Sequence, residues 1–130
     1  MTPEPIWLEK AALLSLHAQS IARYGGSPEL RDEALLESAL ARPRHAFAYG
    51  EMDIHTLAAS LASGIVRNHP FVDGNKRAGY IAAYIFLGRN GFVLEVDKTE
   101  AVARFISLAA SELSEEDLEK WFRANTIPAT

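Results

Sequence analysis

The chain has 130 residues, enough for one domain with an ordinary core. Apolar residues make up 48% and charged residues 23%, the profile of a globular chain rather than a disordered one. The net charge of −4 supplies no overall basic field that would draw nucleic acid. Without cysteine there is neither a disulfide framework nor a thiolate metal site, and no apolar run reaches the roughly 18 residues that span a bilayer. Met1-Thr2-Pro3-Glu4-Pro5 offers neither the basic nor the apolar region of a secretory leader, so a cytoplasmic protein is expected, with no membrane and no direct nucleic-acid partner.

Nearly every periodic segment reads as helix. The first is expected from about Trp7 to Tyr24, with Leu14, His17, Ile21 and Tyr24 at helical spacing and Gly25-Gly26 as its stop. A second begins near Leu30 and carries Ala34, Leu35, Leu36, Ala39 and Leu40 before Pro43 interrupts it. Arg42 to Met52 shows no sustained period. A third helix starts near Asp53, with Leu57, Leu61 and Ile65 on one face, and runs to Asn68, where Pro70 disfavours helical geometry in His69. Ala78, Ile81, Ala82 and Ile85 mark a fourth, ending around Arg89-Asn90-Gly91. Phe92 to Val96 is a single strand-like run, too short and isolated to define a sheet. Asp97 with Glu100, and Ser114 with Asp117, are capping patterns for two further helices, the second flanked by Leu113 and Leu118 as a hydrophobic staple. The expected fold is all-α, a compact helical bundle forming one domain over residues 1–130, with at most a short flap or strand-like segment.

The chemistry is concentrated in one loop, His69-Pro70-Phe71-Val72-Asp73-Gly74-Asn75-Lys76-Arg77, which opens straight into the fourth helix. The first turn of a helix exposes N–H groups that no intrahelical carbonyl satisfies, and the helix dipole adds positive potential, so such a site favours phosphate. Histidine changes charge near neutral pH, and His69 offers an imidazole able to take a hydroxyl proton. Asp73 is suited to Mg²⁺, which prefers carboxylate, water and phosphate oxygens. Gly74 lets the backbone approach phosphate, and Asn75 either bonds phosphate or fixes the turn. Lys76 and Arg77 can neutralise charge that develops during transfer. Arg67, two residues before His69, is a candidate for the same cavity.

Blander readings exist for each piece. A His-Pro pair is often only a helix stop, and Asp-Gly-Asn is a common turn composition. Lys76 and Arg77 can be solvated, but cations are disfavoured in a first helical turn, which itself hints at a nearby anion. Taken together the loop is hard to assign to chance. Other constellations fail: Gly74-Asn75-Lys76 lacks the upstream glycine of a P-loop, and Ala78 and Tyr84 stand where an EF-hand needs glycine and glutamate. His17, His45 and His55 have no metal-ligand spacing. His17 is read as a hydrogen-bonded core residue, and Trp7, Trp121 and Phe122 as packing residues.

At these positions the sequence resembles the Fic/Doc superfamily, and within it the death-on-curing (Doc) toxins. The superfamily loop reads His-Pro-Phe-x-Asp/Glu-Gly-Asn-Gly-Arg-x-x-Arg, which His69, Pro70, Phe71, Asp73, Gly74, Asn75 and Arg77 match. Lys76 replaces its second glycine, as in Doc proteins, and Tyr80 replaces its last arginine. Leu16-His17, Arg23-Tyr24-Gly25-Gly26 and Arg89-Asn90-Gly91 are also Doc-like. The resemblance implies a Fic/Doc-like bundle. It further implies a toxin of a type II toxin–antitoxin module, a kinase that moves the γ-phosphate of Mg-ATP to a threonine of elongation factor Tu and halts translation. Residue by residue, it implies His69 as base, Asp73 as metal ligand, Lys76 as a catalytic cation, and Gly74, Asn75, Lys76 and Arg77 as nucleotide contacts, with Arg67 beside them. Arg42–Gly50 falls where the superfamily carries a flap that docks the target. The self-restraining Ser/Thr-x-x-x-Glu-Gly/Asn helix of many Fic enzymes has no match, and the resemblance implies instead a cognate antitoxin whose C-terminal segment folds into a groove. Two alternatives remain at this point: an adenylyltransferase that places AMP on a protein hydroxyl, and a catalytically idle antitoxin-binding module.

Overall fold

The computed structural model describes residues 3–129. Met1, Thr2 and Thr130 lie outside the described residues, and with them the start of the N-terminal stretch read for a leader and both ends of the expected single domain.

Helix α1 spans Lys10–Tyr24, starting three residues later than its periodicity suggests. Asn90 accounts for the delay. Its side chain accepts from the Ile6 N–H at 2.8 Å and donates to the Ile6 carbonyl at 3.0 Å, so residue 6 is paired as in a sheet and held extended. Helix α2, Glu33–Ala48, also starts late and then runs through Pro43. Leu30 is bridged to Phe71, which leaves Asp32 as the cap that accepts from the Leu35 N–H.

The expectation that Pro43 interrupts this helix is wrong, and most of the irregular Arg42–Gly50 flap is therefore helical. Only Tyr49 to Met52 lies outside helix there, and Tyr49 is 93% exposed. The physical reason is tertiary anchoring on both sides of a buried proline. Arg42 donates to the Ser60 carbonyl at 2.9 Å and to Glu115 at 3.0 Å, while Arg44 lies over Trp7 and pairs with Glu9. These contacts outweigh the single backbone bond that proline removes.

Helix α3, Ile54–Asn68, is capped by Asp53, whose carboxylate accepts from the N–H groups of His55 and Thr56. It is the central element. Every residue from Leu57 to Val66 is buried, because α2 and the later helices over 75–89 and 115–124 surround it. Helix α4, Asn75–Arg89, packs closest to it at Gly79, where an added Cβ would lie 2.7 Å from Val66 Cγ2.

The strand-like run is shorter than expected and not isolated. Strand β1, Phe92–Leu94, pairs antiparallel with β2, Thr126–Pro128, with Val93 opposite Ile127. Helices α5, Lys98–Ala109, and α6, Glu115–Ala124, are capped by Asp97 and Ser114 as the patterns predict. Glu100 does not complete a capping box; it accepts from the Trp121 indole at 2.8 Å and so ties α5 to α6. The all-α bundle is borne out, with the β1–β2 pair as its one sheet among the described residues.

Candidate active site

Helix α3 ends on His69, whose backbone stands at φ 52°, ψ 55°, in the left-handed region. Among the described residues only Ser111 shares this property without being glycine. Pro70 disfavours right-handed helical geometry here, and the His69 N–H still closes the helix by bonding Ile65 O at 3.1 Å. From outside, Arg31 grips this end of the helix. Its Nε donates to the His69 carbonyl at 2.7 Å and its Nη2 to the Asn68 carbonyl at 2.9 Å. The backbone N–H groups of Arg31 and Asp32 both reach the Pro70 carbonyl, and that of Val72 reaches Glu29 O. The loop is thus an edge paired with residues 29–32.

The turn that follows is locked from within. Phe71 is fully buried, and its N–H and carbonyl are both taken by the Asn75 side chain, at 3.0 and 2.9 Å. Of the two roles open to Asn75, its side chain takes the turn. His17 is buried as expected, but it serves the loop: its ring stacks on Phe71 at 3.6 Å, and Nε2 lies 2.8 Å from the Asp73 carbonyl. Gly74 has φ 79°, and an added Cβ there would meet Ile21 and His17, so glycine is required on both counts.

Asp73 is exposed, and its Oδ2 accepts from the Ser27 N–H at 2.8 Å. Its other oxygen takes no hydrogen bond from the described residues. No group of three or more carboxylate or imidazole side chains gathers among them to form a metal cage. A single free carboxylate oxygen beside a phosphate-favouring helix start fits Mg²⁺, which binds through one or two carboxylates together with phosphate and water.

At the start of α4 the N–H groups of Asn75, Lys76 and Arg77 have no acceptor among the described residues. Arg77 is anchored to the end of α1, donating to the Ser20 and Gly25 carbonyls at 3.4 and 3.2 Å and lying over the Tyr24 ring. Lys76 is exposed and has no carboxylate in salt-bridge range among the described residues. His69, Asp73, Gly74, Asn75, Lys76 and Arg77 therefore form one turn-and-helix unit. Arg67 sits exposed in the last turn of α3 and does not line the adjoining groove.

That groove, of about 690 Å³, runs between α1, α4 and α5. Its walls include Ile81, Val96, Phe105 and the outward-facing Val102 and Ile106, and its mouth carries Lys76, Arg77 and Lys98. Tyr24, expected on the apolar face of α1, is exposed instead and forms part of the rim, with Arg23, Arg77 and Lys98 all within 5.5 Å of its ring centre. Ser20 lines the groove with a buried Oγ that has no hydrogen-bond partner. Tyr80 packs edge-on against Phe105, and burial pushes its hydroxyl above the usual tyrosine range, so it is a neutral group.

Sequence reasoning missed Ser27, Arg31 and Lys98. Lys98 gave the same signal as Lys76, a cation in a first helical turn where the dipole disfavours it. The Ser27 and Arg31 bonds each use a backbone group and span 37 to 46 residues, which no local pattern discloses.

A sequence model of the family described as Fic/DOC matches residues 7–87, which includes the whole loop, all of α3 before it and all but the last two residues of α4 after it. The chain belongs to the Fic/DOC family. Among its relatives, the protein kinase doc of Escherichia phage P1 is 35% identical over 103 residues, 78% of this chain and 81% of that one. The toxin Doc of Mycolicibacterium smegmatis is 46% identical over 85 residues, 63% of this chain and 64% of that one. As a Fic/DOC protein, the chain departs from the superfamily loop at two positions, and both now have a place. Both line the groove, Lys76 exposed and Tyr80 half-buried edge-on against Phe105.

Proposed function

We propose that this Fic/DOC protein is the toxin of a type II toxin–antitoxin module and a protein kinase that transfers the γ-phosphate of ATP to a threonine of elongation factor Tu, stopping translation in the cytoplasm. The observation that carries this reading is the juxtaposition of an exposed imidazole on a fixed backbone with the unpaired amides of α4 and the free cation of Lys76. In this reading His69 removes the proton from the threonine hydroxyl as its oxygen attacks the γ-phosphorus. The bond to the β,γ-bridging oxygen breaks, and ADP leaves. The α4 amides, Lys76 and Arg77 hold the phosphates and balance their charge, an electrostatic and positioning role of the kind that dominates phosphoryl transfer. Asp73 would hold Mg²⁺, which when bound neutralises phosphate charge. Arg67, two residues before His69, is assigned to the nucleotide with Lys76 and Arg77. The name of the phage relative supports the kinase assignment. Lys76 and Tyr80 weigh against AMP transfer, because an ammonium and a neutral ring stand where adenylylating enzymes carry a bare backbone and an arginine.

The antitoxin's C-terminal segment is assigned to the groove between α1, α4 and α5. Apolar side chains would seat on Ile81, Val102 and Ile106 and acidic ones would meet Lys76, Arg77 and Lys98. The test is to incubate the protein with elongation factor Tu, Mg²⁺ and ATP labelled at either the γ- or the α-phosphate. Label from the γ-position alone, abolished by His69→Ala and strongly reduced by Asp73→Asn, is the expected result. Label from the α-position would make the protein a nucleotidyltransferase. Growth inhibition that survives His69→Ala would instead favour an idle binding module.

A further inference from the structure

The geometry points to Arg31 as a positioning residue for the base. The inference rests on the assignment of His69 as that base and adds a residue outside the loop to its machinery. His69 holds a left-handed backbone that a β-carbon disfavours, and such a state persists only where the surroundings over-determine it. Two of its supports are local, the Pro70 ring and the bond from the His69 N–H to Ile65 O. The third is Arg31, whose planar guanidinium bonds the last carbonyl of α3, that of Asn68, and the carbonyl of the capping His69, at 2.9 and 2.7 Å. A fork of fixed donors on two successive carbonyls restrains the peptide plane on the C-terminal side of His69. With the Asn68 carbonyl held as well, the peptide planes on both sides of His69 are fixed, and with them the direction in which its Cα–Cβ bond leaves the chain. The carbonyl end of a helix also attracts a cation, so charge and geometry favour the same placement.

Arg31 is free for this task. It is exposed, and no carboxylate lies in salt-bridge range among the described residues. Its own backbone is fixed separately, through its N–H and that of Asp32 on the Pro70 carbonyl. Removing the guanidinium therefore leaves the pairing of residues 29–32 with the loop in place. What is lost is the hold on the Asn68–His69 end.

The test compares Arg31→Met, which keeps the aliphatic stem, with Arg31→Lys, which can still reach one carbonyl. In the labelled-ATP assay Arg31→Met is expected to lower kcat by about 10- to 100-fold, the cost of a slightly misplaced group, with the KM for ATP changed less than about twofold. Arg31→Lys should recover part of the loss. In parallel, the backbone ¹³C shifts of His69 in Arg31→Met should move away from left-handed values while the shifts of Phe71 and Asn75 stay put. A kcat within about twofold of the parent, a loss confined to KM, or unmoved His69 shifts in Arg31→Met would overturn the proposal. The spectroscopic arm needs no turnover. If the parent transfers no phosphate, the kinase reading fails, and the His69 shifts still decide whether Arg31 sets the base.

Discussion

His69 occupies a backbone position where glycine would be the more stable residue. At φ 52° a β-carbon costs roughly 1–2 kcal/mol, part of which glycine gives back through its looser unfolded chain. His69→Gly is therefore expected to abolish transfer while leaving the protein as stable or up to about 1 kcal/mol more stable, measured by denaturant midpoint. A clear loss of stability would mean that the imidazole has a packing role its exposure does not suggest. The residue types of the loop were legible because they follow one another in sequence. The supports of those residues were not. Ser27 on Asp73, Arg31 on His69 and Arg77 on Ser20 and Gly25 are contacts across 38 to 57 positions, made partly through backbone atoms that carry no residue signature.

At the scale of elements, the close packing of α4 on α3 makes two glycines of the same helix respond in opposite directions. A Cβ at Gly79 would sit 2.7 Å from Val66 Cγ2 and 3.2 Å from the Ala62 carbonyl, whereas one at Gly88 meets nothing within 4 Å. Gly79→Ala gains up to about 1 kcal/mol of helix propensity but forces α4 off α3, for an expected net loss of about 1–2 kcal/mol. Gly88→Ala should gain about 0.5–1 kcal/mol, and paired melting curves would show the contrast. Since α4 also carries the first-turn amides, Gly79→Ala should reduce transfer as well. Pro43 shows where local rules lose at this scale. Its effect on α2 is overridden by Arg42 and Arg44, whose partners on α3, α6 and the N-terminal segment are invisible to any window of sequence. Strand β2 was missed for a different reason: three residues ending in proline carry too little pattern to be read.

Across the whole molecule, charge is sorted by position. Lys76, Arg77 and Lys98 line the groove, and Arg23 lies with Arg77 and Lys98 at the Tyr24 ring; none of the four has a carboxylate in salt-bridge range among the described residues, although the chain as a whole is acidic. The overall charge misses this segregation. A second group of charges sets the response to acid. His55 is buried, hydrogen-bonded to Thr126 of β2 at 2.7 Å and flanked by Asp53 and Arg123. Burial holds its imidazole below the ordinary value near 6.5, more strongly than Asp53 raises it. Above that pH both folded and unfolded chains carry it neutral. As pH falls, the unfolded chain takes the proton first, so stability declines until the folded imidazole also titrates. Asp53 adds a second step. Burial raises its carboxyl, but the Arg123 guanidinium and the helix amides outweigh this and hold it below 3.8, so its contribution is lost as pH falls through the region beneath that value. Calorimetry across pH should show melting temperature falling below about pH 6.5, and His55→Gln should flatten that first slope without touching the second.

The pairing of Asn90 with Ile6, described above as the reason α1 starts late, has a practical consequence when set beside the bond from the Ala129 N–H to Gly91 O. Residues 6 and 129 meet on one turn, and that turn closes the opposite end of α4 from His69, about 22 Å away along a 15-residue helix. An affinity handle or fluorophore appended beyond residue 129 would start out at the far pole from the loop, so the labelled protein is suited to assays of nucleotide and antitoxin binding.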